Sequence, residues 1–533
     1  MMRRVRWATR TVALLSMAAS AQAMGCFPLD FSEGDVGGTG GGGAGGYEPP
    51  ACPGDPVTDP ALVRDDCGTF VSASAADGGD GTKAKPFKSL AEAATKGAKR
   101  IYACAESYSA GAETVMFTGG VDIFAGFTDC GATGAWTWAE GSKATLSGPA
   151  DLVALTLNGG DYLVRNLNVT AANAQAPGGS SIAVVVTGGT LHALNSEFRG
   201  GNAQNGADGA PQADDPDLDG NDGGAGSGVC LSAAENPGAV APVKVCTDAP
   251  SSTGGKGGDG GVLVGGAPQV AGSGEDGLPE PVDPDPPNLG DGGVGEGVNG
   301  ASSCRNGEPG ADGESGTNGG GVSGRGSVSL TGYTGVDGAS GLGGQPGHGG
   351  GGGGAARGAQ NITCNGVTIS RVGSSGGAGG TGGCGGAGGH GGKAGGSSIA
   401  LLVLDATVTL EGTTVTAGRA GHGGKGGEGQ RGGQPGQGGG NGAGQGAARQ
   451  SCRGGDGGLG GRGGHGGGGT GGHALGIAVD GDASVTGATF VMDAAVAGDG
   501  GLGAGTAPDN GSDGAGGQVQ NCWDFGKDSA CSG

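Results

Sequence analysis

The sequence predicts an all-β chain, a parallel β-helix (solenoid) carrying long glycine-rich inserts. Three observations lead there: short apolar runs at regular spacing, a coil-length segment that recurs three times, and glycine at every third position between the coils. Of 533 residues 141 are Gly, against only 4 Trp, 5 Tyr and 10 Phe, whereas ordinary proteins carry about 7% Gly. Glycine loses the most backbone entropy on ordering and brings no side chain to a core, so these stretches need a source of order other than hydrophobic burial.

The folded part is expected to begin near Cys52. Residues 77–94, DGGDGTKAKPFKSLAEAA, read as a turn followed by a short amphipathic helix, with Ser89 at its N-cap and Gly97 past its end. Strand-like runs follow at 100–105, 115–117, 121–127, 152–157, 162–169, 182–186 and 191–198, divided by Gly, Asn or Asp turns and by no helix-length pattern.

Three distant segments align: 181–201 (SIAVVVTGGTLHALNSEFRGG), 398–418 (SIALLVLDATVTLEGTTVTAG) and 475–498 (LGIAVDGDASVTGATFVMDAAVAG). Each reads as one coil. Ile182, Ile399 and Ile477 open equivalent strands, and Phe198, Val415 and Phe490 close the next, because a single coil cannot bury its apolar face without stacked neighbours. Weaker coils are expected at Gly261 (GVLVGG), Ser327 (SVSLTGYTG) and Asn361 (NITCNGVTISRVG). Glycine-rich stretches follow the coils, so the inserts are expected to leave from one corner and collect on one face.

Between 373 and 391, and again between 454 and 472, glycine recurs with a strict period of three, mostly as doublets. Three residues per turn is the repeat of a polyproline II type helix, which has no internal hydrogen bonds, so its donors must find neighbours. Collagen is excluded by sparse Pro and a broken register, although 307–319 reads as Gly-X-Y. Two readings stand: a flexible chain, or a polyglycine II bundle similar to those of springtail antifreeze proteins and phage adhesin tips.

Arg3, Arg4, Arg6 and Arg10, the apolar run 11–21 and the small residues after it form an export signal. Ala21-Gln22-Ala23 fits ordinary signal peptidase. Ala23-Met24-Gly25-Cys26 resembles a bacterial lipobox, which makes Cys26 the lipidation site; Phe27, in place of the Asp that retains lipoproteins at the inner membrane, points to the outer membrane. Twelve cysteines remain, an even number suited to disulfides in an oxidising compartment, with a pairing that spacing does not reveal. The expected organisation is a signal peptide (1–25), a lipid-anchored tether (26–51), a cap with the first coils (52–200), glycine-rich and acidic inserts with interspersed coils (201–396), and C-terminal coils with further inserts (397–533).

The stretch DGTKAKPFKSLAEAA, with 121–127 (VDIFAGF), Trp136 and Trp138, resembles the opening of pectin-lyase-like right-handed parallel β-helix proteins, and looks like glycine-rich bacterial surface lipoproteins. The resemblance implies a fold and a location, not an activity. Glycoside hydrolysis needs two carboxyls about 5–10 Å apart, yet Glu197, Asp405, Glu411, Asp480 and Asp482 fall at different coil positions and read as turn residues. His348, His390, His422 and His465 are variable residues of glycine triplets, and no Walker loop or nucleophile elbow occurs.

The acidic runs 214–222 and 279–291 read as solvated loops; calcium is the ion their clustered oxygens suggest, but they lack EF-hand spacing, so no cofactor or metal residue is assigned. A formal charge of −23 is the wrong sign for binding nucleic acid. The expectation is a non-enzymatic surface protein for structure or adhesion, held at the outer membrane and meeting extracellular polysaccharide or other cells. The alternatives are a polysaccharide-binding module, a β-helix polysaccharide lyase or hydrolase, and an ice-binding array.

Overall fold

The computed structural model describes residues 52–531, apart from 132, 232–233, 248, 281–288 and 298–301. The one α-helix among the described residues, Leu90–Thr95, starts as its sequence dictates. Ser89 Oγ accepts from the Glu92 N–H at 3.2 Å, while the Glu92 carboxylate accepts from the Lys88 N–H at 2.8 Å, a variant of the reciprocal capping box.

Three parallel sheets carry the fold. The first stacks Thr69–Val71, Arg100–Cys104, Val121–Thr128, Asp161–Arg165, Thr190–Leu194, Thr407–Glu411 and Ser484–Thr486. The second stacks Ser107–Ser109, Ala144–Ser147, Leu167–Thr170, Glu197–Arg199, Thr414–Thr416 and Thr489–Val491. The third stacks Val115–Thr118, Leu155–Asn158, Ser181–Thr187, Ser398–Leu404, Ala474–Asp480 and Val519–Asp524. From Val115 onward the chain visits third, first and second sheet in that order again and again.

The runs 162–169 and 191–198 were expected to be single strands, but each is divided between two sheets. The break falls at Asn166 (φ 59°) and Asn195 (φ 48°), left-handed positions that Asn tolerates better than most residues and that turn the chain from the first sheet to the second. Phe198, Val415 and Phe490 pair across the second sheet as expected. In the third sheet Ile182 pairs with Ile399 and Ile399 with Leu475, so Ile477 lies two residues beyond its expected position, opposite Leu401. The difference in length between those copies lies in the corners after the strand, not before it.

One apolar cluster fills the space between the sheets, with Val184, Leu401 and Ile477 from the third, Leu191 and Val408 from the first, and Phe198 and Val415 from the second. The outer face of the third sheet is apolar too. Ile182, Val185, Ile399, Leu402, Leu475 and Trp523 are buried there, with Val328 and Tyr333 of an antiparallel hairpin (Ser327–Ser329 with Gly332–Thr334) packed against them. Burial on both faces accounts for the unbroken apolar runs in these strands.

That hairpin corrects an expectation, as do Leu263–Val264 with Ala267–Pro268 and Ala359–Cys364 with Val367–Arg371: all three weaker coils are local antiparallel hairpins. Asn365 (φ 51°) and Gly366 (φ 81°) show why, since this Asn-Gly pair folds the strand back on itself before it can join a sheet.

The long glycine-rich excursions start after Glu197–Arg199, Thr414–Thr416 and Thr489–Val491 and end at Ser398–Leu404, Ala474–Asp480 and Val519–Asp524. All three therefore leave and return at the same corner. Within them, segments 349–356 and 373–384 are buried, and 451–472 turns its glycine doublets inward and its Arg453, Leu459 and Arg462 outward. Gly376, Gly377 and Ala378 donate to carbonyls of Gly258, Cys452 and Gly224, and Gly379, Gly380 and Thr381 to those of Gly255, Gly455 and Asn221. Each residue of a triplet thus bonds a different neighbouring segment. Glycine is required because a Cβ on Gly376 would strike the Gly353 carbonyl and one on Gly377 that of Gly439.

At the rim a segment needs only one bare row: Gly307, Gly310, Gly313, Gly316 and Gly319 donate to carbonyls of Arg453, Asp456, Leu459, Arg462 and His465, leaving two rows free for side chains. Twelve cysteines form six disulfides, of which Cys230–Cys364, Cys246–Cys384 and Cys304–Cys452 span 134, 138 and 148 residues across the glycine segments. Six disulfides fit an extracellular or otherwise oxidising environment. No helix among the described residues is long and apolar enough to cross a membrane.

Candidate interaction surface

Of the carboxylates weighed for chemistry, Asp405, Asp480 and Asp482 meet at one corner, where the Asp405 N–H donates to the Asp480 carbonyl, and Glu197 and Glu411 lie on other strands. Glu197 pairs with Arg199 at 2.7 Å, Glu411 with His192 at 2.9 Å, and Asp405 accepts from the Asp482 N–H at 2.9 Å. The histidines are scattered. His348 Nδ1 donates to the Pro279 carbonyl at 2.6 Å, His390 meets Gln212, His422 lies 3.3 Å from Asp499, and His465 is buried with Nδ1 accepting from the Gly429 N–H. Among the described residues one grouping, Cys52, Asp66 and Cys67, has ligand types at metal-binding distance, but its two sulfurs form a disulfide.

The open part of the first sheet's outer face is the first surface. Its register aligns Leu163, His192, Thr409 and Thr486 in one row, and Arg165, Leu194 and Glu411 in the next. Nearer the N-terminus this face is covered: Arg100 donates to the carbonyls of Cys52 and Gly54, Tyr102 donates to that of Leu62, and Arg165 pairs with Asp55 at 3.1 Å. Trp138 lies at the boundary with the Arg165 guanidinium 5.5 Å from its ring centre. His192 escaped the sequence reading because its partner Glu411 is 219 residues away.

The second surface is the rim of the glycine segments. Segment 417–442 projects Arg419, His422, Lys425, Glu428, Arg431, Gln434 and Gln437 from one row. Beside it, Asn202, Asn205 and Asp208 accept the backbone N–H of Arg419, His422 and Lys425 at 2.8–3.0 Å, and Asp219 and Asp222 those of Gln434 and Gln437 at 2.7 Å. The same device recurs with Asn306, Asp312 and Asn318 on Arg453, Leu459 and His465.

Rim segments have outward donors that no backbone carbonyl meets, and short Asn and Asp side chains on the adjacent segment supply the acceptor. Within 214–222, read as a solvated loop, Asp214, Asp215 and Asp217 are exposed as expected, whereas Asp219 and Asp222 are tied to the neighbouring segment. Within the other acidic run, 281–288 lies outside the described residues, as do Cys26 and the stretches 1–25 and 26–51 expected to be a signal peptide and a tether. No family model, curated protein or solved structure matches the chain.

Proposed function

We propose that this chain is an exported, non-enzymatic structural or adhesion protein of the bacterial surface, lipid-anchored at Cys26, in which a right-handed parallel β-helix displays a polyglycine II bundle. The observation that carries the reading is the hydrogen-bond pattern of 373–396, where successive amides turn to three different neighbours. Such an array holds a broad, regular surface rigid without a large hydrophobic core, which suits display more than turnover.

Hydrogen exchange on the oxidised chain tests it: amides in 373–396 and 454–472 should exchange orders of magnitude more slowly than free coil, and coil-like exchange there would end the reading. Anchoring has its own test. Cys26→Ser should release the protein from membranes, and unchanged membrane retention would refute lipidation. A second reading, glycan binding on the open first-sheet face, is favoured by the His192–Glu411 pair on that face and the Trp138–Arg165 contact at its boundary. Loss of polysaccharide retention in His192→Ala would support it, and equal retention would oppose it.

A further inference from the structure

His473 stands where the inserts meet the third sheet. It immediately precedes Ala474–Asp480 and is 1% exposed. The Gln518 N–H donates to its Nδ1 at 3.0 Å, so Nδ1 must be unprotonated, and its Nε2 in turn donates to the Arg325 carbonyl at 2.8 Å. Both bonds together require the neutral ring with its proton on Nε2. The backbone N–H of His473 donates to Ser397 Oγ at 2.8 Å.

Two separate elements are joined by this ring. On one side, Arg325 leads into the hairpin that covers the third sheet, and the Tyr333 ring meets His473 edge-on at 5.5 Å while its hydroxyl donates to the same Arg325 carbonyl at 3.1 Å. On the other, Gln518 opens the last strand of that sheet, and Phe525 at its end meets His473 at 5.7 Å. The charged groups facing the ring are Arg325 and Asp528, paired with each other at 3.4 Å, and Tyr333 is the remaining titratable neighbour. The Arg325 guanidinium also lies 5.5 Å from the Trp523 ring centre.

We propose that His473 is the pin of an acid-releasable clasp: protonating Nδ1 sets an N–H against the Gln518 N–H and frees the strand end at 518–525 from the ring, while the Nε2 bond to the Arg325 carbonyl persists. Burial, the first cause, holds the ring's pKa below the ordinary 6.5. Above that value the ring is neutral whether the clasp is closed or open. As pH falls below it, the open form takes up a proton that the closed form resists, and closure weakens about tenfold per pH unit until the depressed closed-state pKa is reached.

Hydrogen exchange of the oxidised full-length chain at pH 7.5 and 5.5, corrected for intrinsic amide rates, tests this. Protection over 518–525 should fall in the wild type, by up to about tenfold. It should stay level in His473→Gln, whose amide can make both bonds without titrating. Equal wild-type protection at the two pH values, or the same loss in H473Q, overturns the clasp. Should that variant misfold, NMR titration of the wild-type ring decides: a midpoint below 6.5 supports the clasp, and one at or above it overturns it.

Discussion

Gly343 and Gly344 are neighbours in one segment, yet the same substitution should affect them oppositely. A Cβ on Gly344 meets the Gly461 carbonyl, whereas one on Gly343 reaches only ordinary contact with the Gly386 oxygen at 3.6 Å. Gly344→Ala should therefore cost about 1–3 kcal/mol by overpacking, while Gly343→Ala should be neutral or add about 0.4–1 kcal/mol by stiffening the unfolded chain. Urea unfolding of the disulfide-intact variants measures both. Asp208 offers a second contrast, since its Oδ1 accepts the Lys425 N–H at 2.8 Å. Asp208→Ala should lose about 1 kcal/mol and Asp208→Asn almost nothing, because only the acceptor oxygen is used; equal losses would mean that the charge matters instead.

At the scale of elements, the short helix and the three repeated strand sets were legible in the sequence, because the Ser89 cap and the rows Ile182–Ile399 and Phe198–Val415 are local or strictly periodic signals. The hairpin at 359–371 misled that reading because alternation of apolar and polar residues does not say whether a strand pairs with its neighbour or with a coil far along the chain. Glycine periodicity showed that a three-residue repeat runs through 373–391 and 454–472, but not which segment faces which. Of the surface residues, Glu411 was weighed as a candidate, while its contact with His192 depends on stacking that sequence order hides. The long disulfides supply part of that missing information. Opening Cys304–Cys452 by Cys304→Ser with Cys452→Ser should cost about 3–5 kcal/mol by the chain-entropy account, and exchange should rise first in 304–320 and 451–460.

For the molecule as a whole, the two halves draw stability from different sources. The sheets bury Ile, Val, Leu and Phe, but the glycine segments bury chiefly peptide groups. Exposing apolar surface raises the heat capacity on unfolding and exposing polar surface lowers it. The calorimetric step per residue should consequently fall below the usual ~12–15 cal/mol/K; a step within that range would show that the glycine segments do not melt as packed peptide. The shared corner at which every excursion leaves and returns has an evolutionary corollary. An added triplet on each leg lengthens the array and leaves its glycine rows in phase, whereas a single added residue rotates every later row by about 120°. Insertions and deletions compatible with this hydrogen-bond repeat come in threes, so the glycine segments can lengthen or shorten by whole triplets while the stacked sheets stay unchanged.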